Sequence, residues 1–128
     1  MRKYLILILL LSIIFAGCAT VLKTDIPSGV KELRSYGKII DNACAAQHKN
    51  DIAEFSATYS IGEALKCTIG YAFYTTSGIR EFDLESNDRI SRHLREKNAD
   101  LNIDIKYYVI DNKIHLIEIV LPKKITKD

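Results

Sequence analysis

The clearest pattern of apolar and polar positions lies towards the C-terminal end of the chain. Apolar or aromatic residues alternate with mostly polar ones in residues 101–109, a turn is indicated at residues 111–113, and a second apolar run occupies residues 114–121. Alternation with a period of two is typical of a half-buried strand. Pro122 ends the second run, because proline cannot donate a hydrogen bond to a strand ladder. The pattern predicts a β-hairpin.

Charge favours one register for this hairpin. A three-residue loop pairs Lys106 with Glu118, whereas a two-residue loop would place Glu118 opposite Ile105 on the apolar face. A buried unpaired carboxylate is costly, so the three-residue loop is preferred. The second strand is apolar on both faces, which predicts that a helix or another chain covers its outward residues, Leu116 and Val120.

Two helices are predicted upstream of this hairpin. Apolar and small residues recur at helical spacing in residues 30–49, with Gly37 as a weak point. A second helix is predicted for residues 52–66, where Asp51 and Glu54 have the spacing of a capping box.

A second hairpin and a third helix are predicted in the middle of the chain. Residues 68–84 are rich in β-branched and aromatic residues around Ser77-Gly78, although an extension of the second helix to Tyr74 is an alternative. A third helix is predicted at residues 87–98, with Ser86 as its cap.

These elements predict an α+β fold. The order is two N-terminal helices, a hairpin, a helix and a C-terminal hairpin, and the hairpins form a small antiparallel sheet packed on helices. The length suits one domain, predicted at residues 30–122 and followed by a basic tail at residues 123–128.

The first seventeen residues carry a different pattern. Arg2 and Lys3 are followed by residues 5–15, which are apolar except for Ser12, and then by two small residues before Cys18. A positive start, a short apolar run and a small-residue exit are the parts of a secretory signal. The apolar run is shorter than the roughly 20 residues that span a bilayer.

The sequence Phe15-Ala16-Gly17-Cys18 resembles the lipobox of bacterial lipoproteins, with Phe15 in place of the usual Leu. The resemblance covers residues 1–18. It implies that residues 1–17 are a signal peptide cleaved before Cys18, that the Cys18 thiol carries a diacylglycerol, and that the new amino group is acylated, typically with palmitate. It also implies that Ala19, where an Asp would retain the protein at the inner membrane, directs it to the outer membrane. The alternative is an ordinary signal peptide or an uncleaved anchor, with Cys18 incidental.

The resemblance changes the charge and the expected surroundings of the mature chain. Arg2 and Lys3 leave with the signal, so the remaining 16 basic residues balance the 16 acidic ones and no case for nucleic-acid binding is left. Residues 18–29 become a lipidated N-terminus and a tether. The predicted location is the periplasmic side of the outer membrane.

Two further cysteines, Cys44 and Cys67, are predicted to form a disulfide, because thiols oxidise outside the cytoplasm and the number left after lipidation is even. The bridge would close a loop of about 20 residues and contribute about 3 kcal/mol. Two buried thiols are the alternative. Cys44, His48 and Cys67 are too few to predict a metal site.

Candidate catalytic groups are sparse. The sequence has no phosphate-binding glycine loop and no nucleophile elbow, and His48, His93 and His115 have no nucleophile pattern beside them. Of the adjacent tyrosines Tyr107 and Tyr108, one is expected to be exposed or at an interface, because neighbours in a strand face opposite sides.

The predicted function is therefore a binding or scaffolding module without a cofactor, held at the membrane by the lipid on Cys18 and contacting an envelope protein. One alternative is a cell-wall hydrolase that uses Glu81, Asp83 or Glu85, which alternate along a predicted strand. Another is a lipoprotein of a mobile element or phage.

Overall fold

The computed structural model describes residues 25–66 and 69–121. Within them, five strands form one antiparallel sheet in the order β3-β2-β1-β4-β5 and are accompanied by four helices, which confirms the α+β class. The strands are β1 (Leu33–Asp41), β2 (Tyr71–Thr75), β3 (Gly78–Glu81), β4 (Asn102–Ile110) and β5 (Lys113–Val120). The helices are α1 (Asn42–Gln47), α2 (Ile52–Thr58), α3 (Ile61–Ala64) and α4 (Leu84–Leu94).

The central strand β1 lies inside the first predicted helix, so that prediction was wrong for residues 33–41. The segment pairs with β2 on one side and with β4 on the other. Its consecutive residues Ile39 and Ile40 are both fully buried, as expected for a strand that is covered on both faces. Only α1, six residues long, remains of the predicted helix.

The second predicted helix is divided in two. Tyr59 and Ser60 have extended backbone angles between α2 and α3. The capping box that the sequence placed at Asp51 is found instead at Ser60, whose hydroxyl accepts the N–H of Glu63 at 3.3 Å while the Glu63 carboxylate accepts the N–H of Ser60 at 2.7 Å. Asp51 makes no side-chain capping bond.

The short helices are tied to the β1–β2 end of the sheet by polar side chains. Asp41 caps α1 by accepting the N–H of Cys44 at 2.8 Å, and it also accepts the hydroxyl of Tyr59 at 2.8 Å. The hydroxyl of Tyr71 donates to the carbonyl of Ala64 at 2.8 Å. These bonds fix helices that are too short to be stable alone.

Both predicted hairpins are present, but the turn of the second differs from the prediction. The β4–β5 turn has two residues, Asp111 and Asn112, with φ of 51° and 60°. A β-bulge between Lys106 and Tyr107 then shifts the register, so that Lys106 still lies opposite Glu118, with a charge separation of 3.4 Å. Tight two-residue hairpin turns favour residues that can adopt positive φ, as Asp111 and Asn112 do here. The bulge then restores the pairing of Lys106 with Glu118 that the shorter turn would have lost.

Helix α4 lies along the outer edge of β5 and bonds to its backbone. The N–H of Asp83 donates to the carbonyl of Ile114 at 2.9 Å, and the hydroxyl of Ser86 accepts the N–H of Leu116 at 2.7 Å. The guanidinium of Arg89 donates to the carbonyl of Leu116 and, at 2.8 Å, to that of Ile117. Side chains of a helix therefore cover an edge that would otherwise be open.

The cap of α4 differs from the sequence-based assignment. Asp83, not Ser86, is the N-cap, and its carboxylate accepts the N–H of Ser86 at 3.1 Å. Ser86 lies inside the helix, buried against β5.

The two edges of the sheet approach one another beyond β3. Phe82 forms a parallel bridge with Ile114, so the sheet is curled and encloses its core. The core is a single cluster of buried apolar side chains. Within it, the ring of Phe73 packs against the rings of Phe82 and Tyr107.

Replacement of Ser86 by Ala is expected to lower the free energy of unfolding by about 2 kcal/mol, because the N–H of Leu116 would be left buried without its acceptor. Urea unfolding measures the loss. Ser77→Ala, at an exposed position in the β2–β3 turn, is the control and should change stability by less than about 0.5 kcal/mol. Equal stability of the two variants would contradict this role of Ser86.

Candidate binding site

A groove of about 800 Å³ lies where β4 begins and β5 ends. It is bounded by β1, by the end of α4 and by the loop that follows α4. Its apolar surface comes from the ends of β4 and β5, and its rim is polar. The lining residues are Arg34, Tyr36, His93, Asn98, Asp100, Asn102, Ile103, Asp104, Ile119, Val120 and Leu121.

One wall of the groove is set by an ion pair between β1 and β4. The guanidinium of Arg34 donates to both carboxylate oxygens of Asp104. Nη2 lies 2.6 Å from Oδ2, and Nε lies 3.0 Å from Oδ2 and 3.1 Å from Oδ1. The hydrogen bonds from Arg34 lower the pKa of Asp104 and raise that of Arg34. The pair is exposed, so it contributes little stability, but its bidentate geometry fixes the direction of both side chains.

The opposite wall is the loop between α4 and β4, which is fixed by a hydrogen bond to His93 of the helix. His93 is buried, and its Nε2 lies 3.2 Å from the carbonyl oxygen of Asp100. A carbonyl only accepts, so Nε2 carries the hydrogen. The Asp100 carboxylate in turn accepts the N–H of Asn102 at 2.9 Å, which fixes the start of β4. Side-chain hydrogen bonds therefore fix both walls of the groove.

Two large apolar side chains border this groove and face solvent. Tyr36 and Leu121 are each 69% exposed. The sequence analysis missed Tyr36, because it assigned the residue to a helix. The strand alternation of Arg34, Tyr36 and Lys38 along residues 33–41 was the signal that could have placed it on an exposed face.

The sequence-predicted sites lie mostly outside the described residues. This holds for the signal peptide and lipobox with Cys18, for Cys67, and for the basic tail at residues 123–128. Cys44 is described: it lies half-buried on α1. The lipid attachment and the Cys44–Cys67 disulfide stay predictions.

The carboxylates of the hydrolase hypothesis do not share one strand face, so that arrangement was wrong. Strand β3 ends at Glu81, which forms an ion pair with Lys113. Asp83 caps α4 and lies 3.2 Å from Nδ1 of His115, while Glu85 is exposed in the first turn of the helix. The three acids therefore have three different settings.

The aromatic rings of His48, Tyr107 and Tyr108 each lie beside another aromatic ring. His48 stacks on Phe55 with ring centroids 3.9 Å apart, and it bonds to Asp51. Tyr107 and Tyr108 are both buried, so neither is the exposed tyrosine that the sequence predicted. Tyr108 is covered by the ring of His115, with centroids 4.9 Å apart.

A second, smaller groove of about 440 Å³ lies between α1, β3 and the β4–β5 turn. Several of its charged groups already have partners: Lys113 pairs with Glu81, and Arg80 donates to Asn112 at 3.2 Å. Charged groups of the larger groove are paired as well, but of the two grooves only that one is lined by large apolar side chains that are exposed, Tyr36 and Leu121, so we regard it as the better binding candidate.

The described residues 25–66 and 69–121 contain neither a cluster of metal ligands nor a helix that could span a membrane. Within this part of the chain, no three side chains of the His, Cys, Asp and Glu types are grouped so that they could hold a metal ion. No helix in it has the length and apolar character needed to cross a membrane.

Comparison of the chain with protein-family models, with curated proteins and with solved structures found no match.

Proposed function

We propose that this chain is a lipid-anchored protein on the periplasmic side of the bacterial outer membrane, and that its domain binds a protein partner in an envelope assembly. The anchor rests on the resemblance of residues 15–18 to a lipobox. Two or three acyl chains hold a protein stably at a bilayer. The tether of residues 18–29 then keeps the domain within roughly 40 Å of the membrane.

The observation that carries the binding role is the groove between Tyr36 and Leu121. Exposed apolar surface with a polar rim is typical of protein interaction sites. Tyrosine is enriched among the residues that contribute most to binding energy. The bidentate Arg34–Asp104 pair and the His93–Asp100 contact support the two walls, so little conformational entropy is lost when a partner binds.

The binding role is tested by a photo-reactive amino acid at Tyr36 in the full chain expressed in its native envelope. Leu84 is the matched control, because it is 82% exposed and lies at the opposite end of α4 from the groove. We expect one envelope protein, identified by mass spectrometry, to be captured from position 36 and not from position 84. Identical products at both positions, or none, would reject the binding role.

A separate arm of the same experiment tests the anchor. Cys18→Ala removes the only thiol that the lipobox resemblance assigns to lipid. We expect this variant to leave the membrane fraction, whereas Cys44→Ala should stay with it. Retention of the Cys18→Ala variant in the membrane would refute the lipid anchor.

A further inference from the structure

The groove between Tyr36 and Leu121 contains a hydrogen-bond acceptor to which the fold gives no partner. His93 lines the groove and is only 9% exposed. Its Nε2 donates to the carbonyl of Asp100, so in the neutral ring the other nitrogen, Nδ1, carries a lone pair and accepts. No hydrogen bond from the described part of the chain reaches this Nδ1.

The same nitrogen is open to the groove. Within the described residues, the one polar side-chain atom that is both enclosed and without a partner is Oδ1 of Asn42, so Nδ1 of His93 is not enclosed. The rest of the His93 side chain is buried, and the residue lines this groove, so the open nitrogen faces it. A group that donates a hydrogen bond to Nδ1 would satisfy an acceptor that the domain alone leaves unpaired.

The charges that line the groove favour a donor with a positive charge. The lining has two carboxylates, Asp100 and Asp104, against one guanidinium, that of Arg34, which leaves one negative charge when His93 is neutral. Arg34 forms its ion pair with Asp104. In the described part of the chain the Asp100 carboxylate accepts only from Asn102, whose backbone and side-chain N–H groups carry no charge. The uncompensated negative charge is therefore at Asp100, the residue whose carbonyl His93 binds.

We infer that the protein segment that binds this groove presents a basic side chain, Arg or Lys, to Asp100 and His93, beside an apolar residue that contacts Tyr36 and Leu121. The inference rests on the proposed function, because it gives the chemistry of the partner at the same groove. Guanidinium and ammonium groups have several N–H donors and no acceptor, so they match a carboxylate together with a bare imidazole nitrogen. Hydrogen bonds from a charged donor are also stronger than those from a neutral one.

The acceptor and the charge preference are tested with defined probes on the full chain in detergent micelles. We expect nitrogen NMR to show no hydrogen on Nδ1 of His93, and its signal to shift when the capped dipeptide acetyl-Arg-Leu-amide is added. The matched probe acetyl-citrulline-Leu-amide keeps N–H donors without the charge, and acetyl-Glu-Leu-amide reverses the charge. Both should bind roughly five-fold more weakly, the effect of one partly exposed charge pair. A hydrogen on Nδ1, or equal affinity for the three probes, would overturn the inference.

A single substitution locates the charge preference. Asp100→Asn removes the charge but keeps a side-chain oxygen that can accept the N–H of Asn102. We expect this variant to bind the Arg dipeptide roughly three-fold more weakly and the citrulline dipeptide as before. Asp111→Asn is the matched control, because this acid is exposed in the β4–β5 turn and does not line the groove. An equal loss in both variants would contradict a site at Asp100.

The envelope experiment separates this inference from the proposed function. The segment captured from position 36 is sequenced by mass spectrometry, and we expect it to contain Arg or Lys beside an apolar residue. Replacement of that basic residue by Glu in the partner should abolish capture. A captured segment without a basic residue, or capture that survives the replacement, would overturn the inference and keep the binding role. A cross-link to residues 122–128 of the same chain would also overturn it. Absence of any captured protein would reject the binding role and this inference with it.

Discussion

Replacement of Gly37 by Ala is expected to lower the free energy of unfolding by about 3 kcal/mol, the upper end of the usual range for overpacking. A Cβ atom at this position would overlap the carbonyl oxygen of Tyr74 and would lie 2.7 Å from Cζ of Phe73. Phe73 is 2% exposed and touches both Phe82 and Tyr107, so its ring cannot move without disturbing the core. Urea unfolding followed by circular dichroism measures the loss.

Two variants make this expectation specific. Gly62→Ala in α3 is the control, because the nearest atom to a Cβ there is Oγ of Ser60 at 3.8 Å, and the change should be neutral or stabilising by about 0.5–1 kcal/mol. Phe73→Leu combined with Gly37→Ala should lose less stability than the sum of the two single changes, because the ring overlap is removed. A stable Gly37→Ala protein, or strict additivity, would contradict the close packing of Phe73 on Gly37.

Gly37 also explains why the sequence analysis assigned residues 30–49 to a helix. Val30, Leu33, Gly37, Ile40 and Cys44 do recur at helical spacing. In the structure, however, Gly37 belongs to the inward series of a strand, where its missing side chain makes room for an aromatic ring from β2. The sequence around Gly37 does not show that the ring of Phe73 fills this position. Packing between strands therefore determines that the segment is a strand, and the local pattern does not.

In the C-terminal hairpin, by contrast, the local sequence pattern was sufficient to predict both strands and the pairing of Lys106 with Glu118. Alternation predicted both strands, and charge predicted Lys106 opposite Glu118, as observed. The loop length was wrong because the prediction assumed a ladder without irregularities. A bulge adds one residue to β5, so a two-residue turn and the charge pair are compatible.

The candidate site could be predicted only in part. The resemblance to a lipobox rests on the contiguous residues 15–18, so it needs no fold to be noticed, and it stays a prediction. The groove combines Tyr36, Asp100 and Leu121, which are far apart in the sequence and meet only because β4 lies between β1 and β5. The order of the strands is a tertiary property, and the sequence pattern does not contain it.

Replacement of Asp41 by Ala is expected to lower the free energy of unfolding by about 3 kcal/mol. About 1 kcal/mol is the usual cost of a lost N-cap, here that of α1. The remainder follows because Tyr59, 4% exposed, would keep a buried hydroxyl without its acceptor. Tyr59→Phe leaves Asp41 as the cap of α1, but it also removes the hydroxyl that accepts the backbone N–H of Asp41 at 3.2 Å, so it should cost only part of this loss. A loss as large in Tyr59→Phe as in Asp41→Ala would contradict this assignment.

The same carboxylate makes part of the stability depend on pH in the acid range. Burial raises the pKa of Asp41, but the hydrogen bonds from Cys44, Tyr59 and Ala43 outweigh it and hold the pKa below the ordinary value of 3.8. A carboxyl group with a lowered pKa stabilises the fold above its unfolded-state pKa, and this contribution disappears as the pH falls through the folded-state pKa. The difference in unfolding free energy between the wild type and Asp41→Asn should therefore be constant near neutral pH and should narrow below about pH 4.

Asp104→Asn is the control: hydrogen bonds from Arg34 also lower the pKa of Asp104, but this pair is exposed and should contribute little at any pH. A difference for Asp41→Asn that stayed constant down to pH 2 would show that the ionised form of Asp41 is not what stabilises the junction between β1 and the short helices.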